Sequence, residues 1–105
     1  MQQTERIKMM EEKLNQASQA VIQLSAALDG YAEAQEALHE LEAYYGSDEW
    51  KKDFAADEAG LLPKNLKRGV LSEDAIWNLL EDSHDINKRM QEIITEKENK
   101  KRRNI

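Results

Sequence analysis

Of the five helix-breaking residues in this 105-residue chain, four (Gly46, Gly60, Pro63 and Gly69) fall in one stretch, and only Gly30 lies outside it. Residues 4–45 and 72–101 are otherwise rich in Ala, Leu, Glu, Gln and Lys, side chains that lose little freedom in a helix. The distribution therefore predicts helix, compact connector, helix. We expect an all-α fold, a long antiparallel helical hairpin with a short middle helix and an ordered, aromatic-rich connector. The helices are placed at about 4–45, 48–58 and 72–96. Residues 1–95 are read as a single domain, and residues 96–105 as a basic tail that frays.

The first segment carries a seam. Ile7, Met10, Leu14, Ala17, Val21, Leu24, Leu28 and Tyr31 follow a 3-4-3-4 spacing, which keeps one stripe turned toward a partner helix. After Gly30 the apolar positions step to Ala34, Leu38, Leu41 and Tyr45, a three-residue shift that predicts a local bend or overwinding rather than a break. Thr4 is the expected N-cap. The last segment opens at Ser72, also read as an N-cap, with Glu73 and Asp74 suited to the positive end of the helix dipole. Its stripe is Ile76, Leu79, Leu80, Ile86, Met90, Ile93 and Ile94. At 1.5 Å per residue the first helix reaches roughly 63 Å and the last roughly 42 Å. An antiparallel pair would thus leave Ile7, Met10 and Leu14 without an intrachain partner. Either this overhang packs on a second copy of the chain, or residues 1–14 fray.

Five of the six aromatic residues (Tyr44, Tyr45, Trp50, Phe54 and Trp77) lie within residues 44–77. Gly46 followed by Ser47 reads as a C′ glycine and a new N-cap. A helix over about 48–58 puts Trp50 and Phe54 on one face. Pro63 is expected to start one further turn and Gly69 to end it. A small aromatic core at one end of the hairpin follows, with Leu61, Leu62, Leu66, Val70 and Leu71 available to line it.

Composition excludes several classes. The chain has no cysteine, so it has neither disulfides nor a thiolate nucleophile or metal ligand. No run approaches 18 apolar residues, so no membrane span is expected, and MQQTERIKMMEE has no apolar stretch of signal-peptide type. The glycines stand singly, with no phosphate-binding loop; caps and turns at positive φ are their expected use. The balance fits a cytoplasmic protein of bacterial type. The net charge of −6 is an average over unlike parts. Residues 29–58 carry 10 acids against 2 bases, whereas residues 96–105 carry 2 acids against 5 bases.

The block YYGSDEWKKDFAADEAGLLPKNLKRGVLSEDAIWNLL resembles the bacterial proteins grouped as domain of unknown function family 4298. The resemblance rests on Tyr44, Tyr45, Trp50, Asp53 and Phe54, then on Asp57, Glu58, Gly60, Leu62, Pro63, Leu66, Arg68, Gly69 and Val70. It continues through Leu71, Ser72, Glu73 and Asp74 and extends over roughly residues 5–95, with the basic tail outside it. It implies no catalytic residues, since the family has no assigned activity.

Several constellations could carry chemistry. Asp53, Asp57, Glu58 and Asp74, with Glu73, crowd the connector, and grouped carboxylates can hold Mg²⁺ or Mn²⁺. The competing account is that they cap helices and pair with Lys64, Lys67 and Arg68. The EExxE and ExxD pattern of all-α nucleotide pyrophosphohydrolases is not met. Glu11-Glu12 is followed by Asn15, and Glu81-Asp82-Ser83-His84-Asp85 supplies only DxxD. Arg68 is expected to clamp Asp53, Asp57 or Asp74. His39 and His84 are isolated, and Ser83-His84-Asp85 is contiguous, so neither a zinc site nor a triad is expected. Lys100, Lys101, Arg102 and Arg103 offer cations but no interleaved aromatic for base stacking.

The reading that results is a non-enzymatic protein-interaction or scaffold module with no cofactor, acting through helix 1. Ile7, Met10, Leu14 and Val21 form the interaction seam. Tyr44, Tyr45, Trp50, Phe54, Arg68 and Trp77 build the connector. The partner is a protein or a second copy of the chain, and nucleic acid is not expected except through the tail. One alternative is a small divalent-metal enzyme using Asp53, Asp57, Glu58 and Asp74. A weaker one is an acidic mimic of nucleic acid.

Overall fold

The computed structural model describes residues 2–103, and side chains from 2 to 102. Asn104 and Ile105, the last two residues of the expected tail, lie outside the described residues. The described chain is all-helical, in the order α1 (Gln3–Tyr45), α2 (Asp48–Glu58), a 3-10 turn η1 (Gly69–Leu71) and α3 (Ala75–Arg103). It divides into two compact units, Met1–Ala37 and Leu38–Ile105. The division falls inside α1, and inside the 1–95 domain expected from the sequence.

In the first unit, α1 runs unbroken through Gly30. Its first i to i+4 bond joins the Arg6 amide to the Gln2 carbonyl at 3.0 Å, so the helix begins ahead of Thr4 and Thr4 is not its cap. A Cβ built on Gly30 would meet no atom within 4 Å. Since the site is open and helical, Gly30→Ala removes backbone freedom from the unfolded chain at no steric cost. We expect a gain of about 1 kcal/mol, seen as a higher urea midpoint with an unchanged slope.

In the second unit, α1 gives way to α2 through Gly46 and Ser47. The Ser47 hydroxyl oxygen accepts from the Trp50 amide at 3.2 Å and donates to the Tyr44 carbonyl. One side chain thereby joins the last turn of α1 to the first of α2, a cap worth about 1 kcal/mol. Asp48 and Glu49 in the first turn suit the helix dipole. The sequence placed a C′ glycine at Gly46, but among the described residues only Gly60 has positive φ, at 72°. Gly60 closes α2 in a Schellman arrangement. The Leu61 amide bonds the Ala56 carbonyl and the Gly60 amide bonds the Asp57 carbonyl, both at 3.0 Å. A left-handed residue is needed where the chain reverses beyond α2. At Gly46 the amide still reaches back to the Glu42 carbonyl at 3.2 Å, as a helix continues it.

The connector differs in two further respects. Pro63 starts a turn, closed by the Leu66 amide on the Pro63 carbonyl at 3.2 Å, but Gly69 opens η1 rather than ending that turn. Ser72 does not cap α3. Its hydroxyl accepts from Asp74 at 3.4 Å, and the first α3 bond runs from the Asn78 amide to the Asp74 carbonyl at 2.8 Å. At its far end α3 continues through the basic run to Arg103 instead of stopping near residue 96. Lys100 pairs with Glu96 one turn earlier at 3.3 Å. Cations near a helix C-terminus also meet the negative end of its dipole. The apolar stripe ends there, but helix propensity does not.

The buried core is very small. Among the described residues only Leu71, on η1, and Ile76, on α3, are buried, at 6% and 2% exposure. Both α2 and α3 pack against η1, so the short turn is the hub of this unit. No described helix is long and apolar enough to cross a membrane.

Candidate functional site

Two surfaces carry the residues singled out by the sequence, one in each unit. In the second unit the connector is a clasp of short bonds. Tyr45 meets Trp50 edge-on with ring centroids 5.0 Å apart, and Trp50 stacks on Phe54 at 5.2 Å. The stacked pair sits one turn apart on α2, as the i, i+4 spacing requires. Each aromatic with a polar tip also finds a partner. The Trp50 indole Nε1–H donates to the Val70 carbonyl at 2.9 Å, tying α2 to η1. The Tyr45 hydroxyl donates to the Glu73 carbonyl at 3.1 Å, tying the end of α1 to the segment that leads into α3. Trp77 stands apart from these ring contacts and is 55% exposed, although its sequence position suggested a place among them. On α3 the inward position belongs to its neighbour Ile76, and adjacent helical residues point in different directions.

The two carboxylates on one face of α2, Asp53 and Asp57, take separate partners. Tyr44 donates its hydroxyl proton to Asp53 Oδ2 at 2.6 Å, while Arg68 Nη1 bonds Asp57 Oδ1 at 2.9 Å. Of the three acids considered as partners for Arg68, Asp57 is the one it engages, through a single nitrogen. Among the described residues no group of three or more His, Asp or Glu is placed to hold a metal ion. One face of α2 carries Asp53 and Asp57, but each is directed to a different cross-element partner. A shallow recess of about 450 Å³ is lined by Phe54, Asp57, Glu58, Arg68, Leu71, Ser72, Glu73 and Asp74. The Arg68–Asp57 pair is part of its lining. Because both groups are partly solvated, with side-chain exposures of 38% and 28%, the pair contributes less than about 1 kcal/mol. Arg68→Ala should lower stability by no more than that in a urea titration.

The Tyr44–Asp53 bond was not foreseen from the sequence. The only signal is the spacing of nine residues across the Gly46-Ser47 turn, which lets the last turn of α1 reach the second turn of α2. The hydrogen bond to Asp53 pushes the Tyr44 phenol up to about 12, helped by reduced hydration and by the charges of Asp53 and Glu49. A phenol is neutral when protonated. Its raised folded value therefore makes this contribution complete below the ordinary value of 10.0, and lost as pH rises through about 12. Spectrophotometric titration of phenolate should resolve one tyrosine near that value. Asp53→Asn should return it toward the ordinary range, and an unshifted curve in the wild-type protein would refute the bond.

The other surface is the seam of α1. Ile7, Met10, Leu14 and Val21 are 53%, 56%, 61% and 67% exposed, and Leu24 and Leu28 are exposed with them. Tyr31 is half-buried. Surface apolar residues are ordinary when scattered. Here they recur every three and four residues on one continuous helix, which makes a stripe. Met9 and Ile22, 41% and 68% exposed and each one position off the seam, are the exposed large apolar residues of this helix that the spacing did not select.

The family model described as Domain of unknown function (DUF4298) matches residues 7–93. The chain belongs to this family. The match takes in the α1 seam, the whole connector and α3 as far as Ile93. No curated protein and no solved structure matches the chain.

Proposed function

We propose that the chain is a non-enzymatic protein-interaction module of the cytoplasm, acting through the apolar stripe of α1. The observation that carries this reading is the exposure of Ile7, Met10, Leu14 and Val21 along an unbroken 43-residue helix. A helix of that length is not held by propensity alone, and an apolar stripe left in water is the usual mark of a surface that another protein covers. The connector has a structural part in this reading. Tyr44, Tyr45, Trp50 and Phe54, with Arg68, brace the turn, and the Tyr45 hydroxyl ties the last turn of α1 to the segment that leads into α3. Trp77, exposed beside this brace, belongs to the outer surface.

The test is site-specific photo-crosslinking in cells. A photoreactive residue at Leu14, on the stripe, should give discrete crosslinked products, whereas one at Glu12, on the opposite face, should not. Equal labelling at both positions, or none at either, refutes the reading.

A further inference from the structure

We infer that the partner of the α1 stripe is a second copy of this chain, paired parallel and in register over residues 7–31. This rests on the interaction reading above and names its occupant. The stripe spans more than three heptads without an interrupting charge, the length at which an a/d pattern specifies a coiled coil. Ile7, Leu14, Val21 and Leu28 occupy one set of seam positions, and Met10, Ala17, Leu24 and Tyr31 the other. In a parallel in-register pair each meets its own counterpart, so the seam is closed by itself and needs no complementary sequence elsewhere.

Charge complementarity selects the orientation. The residues flanking a seam face across a parallel pair at a spacing of five. Arg6 flanks Ile7 on one side and Glu11 flanks Met10 on the other, so Arg6 of each copy faces Glu11 of the second copy, twice by symmetry. Both are exposed, and neither is in an ion pair within the chain among the described residues. The next flanking residue, Lys13, faces Ser18, with no like charge opposed. The antiparallel pairing with the same overlap sets Ile7 against Tyr31 and Met10 against Leu28. It places Arg6 beside Ala34, Lys13 beside Ala27 and Glu11 beside Ser25, and so forms no charge pair. The outward face is polar at Glu5, Lys8, Glu12, Asn15 and Gln19, with Met9, Ile22 and Ala26 as its apolar exceptions.

The cysteine-free sequence allows a direct test on the full chain. Met10→Cys should form a disulfide-linked dimer on mild oxidation, because counterpart positions in a parallel seam lie within disulfide reach. Glu12→Cys, facing outward, should not. A linkage that appears only when Met10→Cys is mixed with Leu28→Cys overturns the inference in favour of the antiparallel pair. Arg6→Glu should weaken the dimer about tenfold, and adding Glu11→Arg should restore it; indifference to both changes overturns the parallel register. Sedimentation of the unaltered protein as a monomer at high micromolar concentration overturns the second copy as occupant. In that event the photo-crosslinking at Leu14 still decides whether the stripe binds another protein, so the two failures are distinguishable.

Discussion

Leu14→Glu is expected to weaken pairing through α1 by at least about 100-fold, or about 2.7 kcal/mol, with no loss of helix in the separate chains. The two halves of this expectation have different origins. In the unpaired chain Leu14 is 61% exposed, so its replacement removes little packing, and glutamate is nearly as good a helix former as leucine. In the paired state the substitution takes two apolar side chains out of the centre of the seam, each contributing about 1.5–3 kcal/mol by burial. It also sets two carboxylates against each other where water is excluded. Sedimentation equilibrium reads the first half, and far-ultraviolet circular dichroism at dissociating concentration reads the second. Unchanged association would refute the seam. A collapse of helicity would mean that Leu14 serves the fold of its own chain.

Ile76→Ala is expected to cost about 3 kcal/mol, within the range for truncating a buried isoleucine, and to dissolve the connector. Ile76 is 2% exposed and shares the interior with Leu71 at 6%. No other described residue is buried, so the site has few neighbours to collapse into the space left behind. Since η1 is where α2 and α3 both pack, loosening Leu71 also loosens the carbonyl of Val70, which holds the Trp50 indole. The near-ultraviolet dichroism of the tryptophan should fade at lower urea than in the wild-type protein. Trp77→Ala, one residue along and 55% exposed, should cost under about 1 kcal/mol. If the two substitutions cost the same, the core is not centred on Ile76.

Much of the local structure was legible in the residues. The start of α2 was readable because Ser47 has the chemistry of an N-cap. The placement of Trp50 and Phe54 on one face of α2 followed from helical spacing alone. Elsewhere a local cue had two uses. Ser72 followed by acids resembles a cap, but in the folded chain its hydroxyl turns to Asp74 two residues on and the helix waits until Ala75. Gly46 and Gly60 are the same residue type, and only the path of the chain beyond them decides which must be left-handed. The basic run after residue 95 lacks an apolar stripe, which argues against packing but not against a helix.

The candidate site was legible in one half and not in the other. The α1 stripe depends on periodicity, a property of a single helix, so its residues could be selected before any tertiary structure existed. The connector carboxylates could not be sorted that way. Asp53 and Asp57 are on one face of α2, and composition cannot tell a shared metal site from two separate bonds. The approach of Tyr44 to one and Arg68 to the other assigned them.

By itself the sequence determined the all-helical class, the position of the connector and the stripe on α1. Each follows from propensity, breakers and spacing, which act within a few residues. The tertiary structure alone decided that Leu71 and Ile76 form the interior, that Trp77 remains outside it, and that the acids of α2 go to different partners. Those outcomes depend on which surfaces meet across the turn between Glu58 and Ala75, and burial and directional bonds between distant residues carry no signature in local spacing.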